Sequence, residues 1–286
     1  MTTRQFEIGD FCFAVQCPDE VKFPQNFLLF ETAGKAPQYT YTLTLADALP
    51  PVQGQLVARR PDLLVWNTPQ GEARLLGIKG AASPYALYQE TGPDTAQITY
   101  LTQWLPLLDQ DTVFNSLLVL EKRMLARNAL VFHCAYILEE GQALLFSGPS
   151  GMGKSTQASL WEKYRGVQTI NGDRALLRQL DGQWYACGWP VCGSSGICQN
   201  QQYPIRAIVM LSQAKENAAH RLSPSEAFLQ VYPQITANRW DTACSARTLD
   251  LVTQLAETQP IFHLACDISR QAVAVLEQAL NESVAV

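Results

Sequence analysis

The sequence predicts an α/β core over residues 113–286, preceded by a β-rich region over residues 1–112. Three observations predict it. The first part consists of short segments rich in β-branched and aromatic residues, punctuated by Gly, Pro, Asn and Asp. The second part alternates apolar segments with stretches of helical spacing, the pattern of an α/β fold. Within it, the apolar segment ALLF, the glycine-rich run GPSGMGKST at residues 148–156 and the helix-like QASLWEKY follow one another directly.

In chain order, strands are expected over FCFAVQC (11–17), FLLFETA (27–33), QYTYTLTLA (38–46), QLVARRPDLLVW (55–66), ARLLGIKG (73–80) and AQITYLTQWL (96–105). A helix follows, capped by Asp111 or Thr112, with Phe114, Leu117, Leu118, Glu121, Met124 and Leu125 at helical spacing. ALVFHCAYIL and ALLFSG flank the polar turn Glu139-Glu140-Gly141-Gln142 and predict a hairpin. A helix over Ser155 to Tyr164 comes next, then a strand VQTIN that ends in the turn Asn171-Gly172-Asp173-Arg174. A buried strand is expected over 205–213 and a helix from Ser223 or Ser225 through Ala227, Phe228 and Val231. A helix from Thr242 to Glu257, a strand from Ile261 to Cys266 and a helix from about Ser269 complete the chain. No internal repeat of fixed period is present.

Composition narrows the function classes. The chain has 286 residues, of which 47% are apolar and 16% charged, so it can bury a core and is not of disordered type. With 21 basic and 26 acidic side chains it lacks the basic excess of a protein that lives on nucleic-acid phosphates. The deficit is local: residues 1–112 carry 7 basic and 12 acidic side chains, whereas residues 113–286 carry 14 of each. The second part therefore tolerates an anionic ligand better. The N-terminus shows no basic and apolar export signal, and no apolar run reaches membrane-spanning length. A cytoplasmic protein with free thiols at its eight cysteines is the expectation.

The run at 148–156 carries the chemistry. Gly148, Gly153, Lys154 and Ser155 fit the G-x-x-x-x-G-K-[ST] phosphate loop, in the required strand–loop–helix setting. Gly148, Gly151 and Gly153 let the backbone turn tightly and aim N–H groups inward, with Ser150, Met152 and Thr156 completing the loop. The helix start adds its positive dipole end. Lys154 supplies a mobile positive charge for the β- and γ-phosphates of ATP. Ser155 supplies a hydroxyl for Mg²⁺, a cation that prefers oxygen, and Asp173 is the candidate carboxylate to complete that coordination. The competing reading of Asn171-Gly172-Asp173 is a plain turn into the hairpin ALLRQLDGQWYA.

These residues resemble the HPr kinase/phosphorylase family, whose core is a phosphoenolpyruvate-carboxykinase-like P-loop fold. The resemblance covers about residues 129–235. It rests on His133 in the strand before the loop, on GPSGMGKST, on NGDR after it, and on Pro190, Gly193, Ser194 and Ser195 in WPVCGSSG. It implies an ATP-dependent kinase with His133, Lys154 and Asp173 at the catalytic centre, a small protein or peptide as acceptor, and a homo-oligomer. It departs at the acidic turn. The family carries two adjacent aspartates there; here the pair is Gly172-Asp173. With Asp173 on Mg²⁺, no second carboxylate stands ready to take a hydroxyl proton, and neither phosphorylase activity nor HPr as substrate is carried over.

Other residues divide between function and structure. His133 is equally a core histidine or a participant; His220 is expected on a surface loop and His263 within a strand. Cys187, Cys192 and Cys198 lack zinc-site spacing. Ser194 and Ser195 form either a ligand-contacting loop or a turn. Arg174 and Arg206 are candidates to neutralise phosphate charge, against surface ion pairing. The expected function is transfer of the γ-phosphoryl of Mg·ATP to a hydroxyl, a serine of a small protein or peptide, with residues 1–112 placed to recognise that acceptor. The alternatives are a small-molecule hydroxyl kinase and an ATP-binding module without catalysis.

Overall fold

The N-terminal apolar alternation folds as a mixed sheet in the computed structural model, which describes residues 1–78, 80 and 83–282. The chain divides into two units, Met1–Leu120 and Glu121–Val286; the boundary read from sequence lies at 112/113. In the first unit, strands β1 (Thr2–Ile8) and β2 (Phe11–Cys17) are followed by the short helix α1 (Gln25–Leu28). Then come β3 (Tyr39–Ala46), β4 (Gln55–Arg60), β5 (Leu63–Thr68), β6 (Gly71–Leu76), β7 (Ala86–Gly92) and β8 (Thr95–Leu101). They form one eight-stranded sheet in the order β1-β2-β3-β8-β7-β6-β5-β4. Its aromatic core includes Phe6 stacked on Phe13 at 5.6 Å and Phe27 edge-on to Phe114 at 4.8 Å.

Several expectations are corrected here. FLLFETA is not a strand. Phe27 is fully buried while Leu29 is 52% exposed, and Phe30 is buried three residues after Phe27. A strand would put Phe27 and Leu29 on one face, so the segment turns as α1 instead. β1 and β7 were not expected. AQITYLTQWL leaves the sheet after Leu101 and continues as a 3₁₀ turn over Thr102–Asp109. The strand expected over ARLLGIKG ends at Leu76, and Lys79 lies outside the described residues. The helix expected from 111 breaks at Val119, which adopts φ 48°, into α2 (Asp111–Leu118) and α3 (Leu120–Leu125). Asp111 sits inside the first turn and Gln110 is the N-cap.

The second unit contains β9 (Ala129–Glu139), β10 (Gln142–Ser147), α4 (Lys154–Arg165), β11 (Gln168–Asn171), β12 (Arg174–Leu180), β13 (Gln183–Cys187), β14 (Gln202–Gln213) and β15 (Ala218–Arg221). It ends with α5 (Pro224–Val231), α6 (Thr242–Thr258), β16 (Ile261–Cys266) and α7 (Arg270–Glu282). Strands β9 and β14 each pair differently along their lengths. The first half of β9 pairs with β12 and the second half with β10; β14 starts against β13 and continues against β10 and β16. The pairings β9–β12–β13–β14–β10–β9 thus close a ring. Side chains alternate across it: Phe132, Cys134 and Tyr136 pack with α5 and α6, whereas Ala135 and Ile137 pack with α4 and α7. Trp161 of α4 is fully buried on the latter face, worth roughly 1.5–3 kcal/mol or more by area. His220, expected on a loop, is instead in β15, directly opposite His263 of β16.

Candidate functional site

The glycine-rich loop leaves β10 at its carboxyl end, where β10 runs parallel to β14 and β14 parallel to β16. The carboxyl ends of parallel strands in α/β sheets are where ligand crevices form. Gly148, Gly151 and Gly153 all take positive φ, at 150°, 80° and 99°. Gly148 is also confined, since a Cβ there would meet the Leu211 carbonyl at 3.3 Å. Gln213 Nε2 donates to the Gly151 carbonyl at 3.1 Å and holds the loop from β14. The Met152 N–H donates to the Pro149 carbonyl at 3.2 Å, so it is spent within the loop, and its side chain packs on the α4–α7 core. Ser150 and Thr156 are exposed. Gly153 is the N-cap of α4 and supplies no side-chain cap, so the helix start presents its N–H groups outward.

Lys154 folds back under this loop. Its Nζ donates to the Gly148 carbonyl at 3.1 Å and the Pro149 carbonyl at 3.2 Å, and the residue is buried at 8% exposure. Among the described residues it makes no ion pair. Burial holds its ammonium below the ordinary lysine range, with Arg174 acting in the same direction and Asp173 against it.

The acidic turn is organised by Asn171, which is fully buried. Its Oδ1 accepts the backbone N–H groups of Asp173 at 2.8 Å and Arg174 at 2.9 Å. Its Nδ2 donates to the carbonyls of Trp189 at 2.9 Å and Val191 at 3.1 Å. The amide is thereby used on both ends. The Cys134 N–H donates to the Asp173 carbonyl at 3.0 Å and ties the turn to β9. Asp173 Oδ2 lies 3.1 Å from Arg174 Nε and Oδ1 lies 3.6 Å from His133 Nε2. Ser155 Oγ donates to the Gly172 carbonyl at 3.4 Å, so loop and turn meet.

His133, Lys154, Ser155, Asp173 and Arg174 are therefore brought together. Burial first, then the charges of Lys154 and Arg174, hold the His133 imidazole below its ordinary range; Asp173 and a hydrogen bond with Gln234 oppose them. Arg174 NH1 also donates to Thr236 Oγ1 at 3.0 Å. Gln213, Gln234 and Thr236 carry no local sequence signal for these contacts, whereas the role of Asn171 follows from the habit of Asn to bond backbone N–H groups two residues on. Arg206 is not at this site: it pairs with Glu139 and Asn281 in the first half of β14. The turn Gly193–Ser195 is at the site, seated on Gly172 and Asp173. Among the described residues no three His, Cys, Asp or Glu side chains are grouped to hold a metal, Cys187, Cys192 and Cys198 included. No helix among them is long and apolar enough to cross a membrane.

A family model described as SynChlorMet cassette protein ScmC matches residues 109–281. No curated protein matches the chain. Among solved structures it is similar to the Hpr(Ser) kinase/phosphatase from Coxiella burnetii, at 13% identity over 54% of this chain and 89% of that one, with a TM-score of 0.33.

Proposed function

This chain belongs to the ScmC family of SynChlorMet cassette proteins, and from its site geometry we propose that it binds Mg·ATP at the glycine-rich loop and transfers the γ-phosphoryl to a hydroxyl. One observation carries the reading. Lys154 is a buried ammonium that donates to two carbonyls of the loop it sits under and has no carboxylate in contact among the described residues. A buried charge without a counter-ion in contact is costly. A bound polyphosphate supplies that counter-ion, at a helix start whose N–H groups no side chain caps.

The oxygen donors fit Mg²⁺. Ser155 Oγ meets the carbonyl of Gly172, the residue before Asp173, so the two hard oxygen donors lie on segments that already touch. Ser155 and Asp173 would hold the ion, which supplies charge neutralisation at the β- and γ-phosphates. Lys154 orients the same phosphates. His133, kept neutral by its surroundings, accepts the hydroxyl proton at Nε2 as the acceptor oxygen bonds to the γ-phosphorus and the bond to the ADP oxygen breaks. We place a serine of a small protein or peptide first as acceptor and a small-molecule hydroxyl second. The single carboxylate at 172–173 favours one further reading, an ATP-binding module without transfer.

Calorimetric titration of ATP with and without Mg²⁺ tests the reading. Lys154→Ala is expected to lose binding by at least about tenfold, the scale of one charge-assisted contact. Asp173→Asn is expected to lose only the increment that Mg²⁺ adds. A wild-type chain with no heat under either condition overturns the reading; binding without transfer to any hydroxyl acceptor, or slow hydrolysis, selects the module.

A further inference from the structure

Gly172 has no room for a side chain. A Cβ built on it would lie 2.0 Å from Ser195 Oγ and 2.4 Å from Ser195 Cβ, whereas the next atom, the Cys192 carbonyl oxygen, is at an ordinary 3.7 Å. The Ser195 side chain thus fills the volume that a residue 172 side chain would take. Ser195 is itself fixed: its Oγ donates to the Cys192 carbonyl at 2.6 Å and accepts the Ile197 N–H at 3.2 Å. The Gly172 N–H donates to the Ile197 carbonyl at 3.3 Å, which clamps the two segments from the backbone side. Two residues before Ser195, Gly193 takes φ 56° and lays bare backbone on the carboxylate. A Cβ there would stand 3.0 Å from Asp173 Oδ1 and 3.1 Å from its Cβ and Cγ.

We propose that the Gly193–Ser195 turn is a positioning element for Asp173, plugged by Ser195 into a socket that glycine at 172 leaves open. This rests on the nucleotide reading above. The turn closes one side of the Asp173 carboxylate, while Arg174 and His133 stand at its two oxygens. A carboxylate bounded on all these sides keeps one orientation beside Gly172, whose carbonyl Ser155 Oγ meets. An unbounded one would swing and pay rotamer entropy on taking a cation. The same contacts account for glycine at 172: the position is filled from across the site, by the side chain of residue 195.

The test is a compensating pair read by ATP calorimetry with and without Mg²⁺. Gly172→Ala expels the turn and is expected to cut the Mg²⁺-dependent increment by about tenfold or more, the usual cost of losing outer-shell support. It leaves Mg²⁺-free ATP binding in place. Gly172→Ala with Ser195→Gly removes both clashing atoms and is expected to return the increment to the level of Ser195→Gly alone. Gly193→Ala, the milder intrusion, is expected to weaken the same increment and carries the test should Gly172→Ala not fold. The proposal is overturned if Gly172→Ala or Gly193→Ala keeps the full increment, or if the double variant shows a smaller increment than Ser195→Gly alone. A wild type that binds no ATP overturns the nucleotide reading and this proposal with it.

Discussion

Glu72 and Arg74 lie two residues apart on β6 of the first unit, both buried, with Arg74 Nε 2.5 Å from Glu72 Oε1. Lys154 of the second unit is also buried, yet among the described residues its ammonium hydrogen-bonds to main-chain carbonyls and makes no ion pair. These are the charged side chains buried among the described residues. The first unit closes its buried charge internally, so that charge belongs to the sheet. The second leaves one beneath a glycine-rich loop with no ion pair among the described residues, the charge that the proposed nucleotide would meet. The histidines follow the same division, since His133, His220 and His263 all fall in the second unit.

The largest expected effect breaks this contrast if it fails. Removing one partner of the buried pair, by Glu72→Ala or Arg74→Ala, should cost about 3–5 kcal/mol, the usual cost of breaking a buried ion pair. Lys154→Met should cost little or even stabilise, because it replaces a buried ammonium without an ion pair by an apolar chain of similar length, while removing the proposed ATP binding. Urea denaturation of the three variants measures both. Equal destabilisation by Lys154→Met and the pair variants would mean that Lys154 is structural after all.

A smaller effect sharpens how the second unit holds its site. Asn171 uses both ends of its amide in a fully buried position. Asn171→Ala should cost about 2–4 kcal/mol by leaving backbone donors and acceptors without partners. Asn171→Asp should be no milder, since it turns acceptors toward the Trp189 and Val191 carbonyls. Crystal structures or amide exchange at Asp173 and Arg174 would show the turn released; a stability change under about 0.5 kcal/mol would deny the amide its organising part.

Much of the second unit was legible in the sequence, because its signals are local. The turn of the β9–β10 hairpin, the loop glycines with their positive φ and the strand at Ile261–Cys266 each depend on residues within a few positions. Ser223 caps α5 with Glu226 in a capping box, again a local pattern. What was not legible is set from a distance. Val119 adopts φ 48° because burial on both sides of it outweighs its preference, and no helical spacing announces that break. FLLFETA has strand-like composition, but the burial of Phe27 and Phe30 fixes a turn. The ring closed by β9 and β14 depends on each strand changing partner midway. Ser195 meets Gly172 across 23 residues, so the reason for glycine there is invisible to any local reading.

The smallest effect concerns pH, and it separates the units by where stability is lost. Burial depresses the His133 imidazole, with Lys154 and Arg174 adding to it. Burial also depresses His263, with His220 adding to it across the β15–β16 pair, where the ring centres are 5.4 Å apart. For a histidine whose folded value lies below the unfolded value of about 6.5, the unfolded chain takes up protons first as pH falls. Stability present above about pH 6.5 is therefore lost progressively below it. Glu139, raised by burial beside Arg206, acts in the opposite direction at lower pH, so the histidine share is isolated by substitution. Opening free energies from amide exchange in β9 and β16 should fall between about pH 7.5 and about pH 5.5, while those in β3 and β8 of the histidine-free first unit hold. His220→Gln should shrink the fall in β16, because it removes the charge that opposes His263, and leave β9 as it was. A fall of equal size in both units, or one that His220→Gln leaves unchanged in β16, would place the acid sensitivity elsewhere than in these imidazoles.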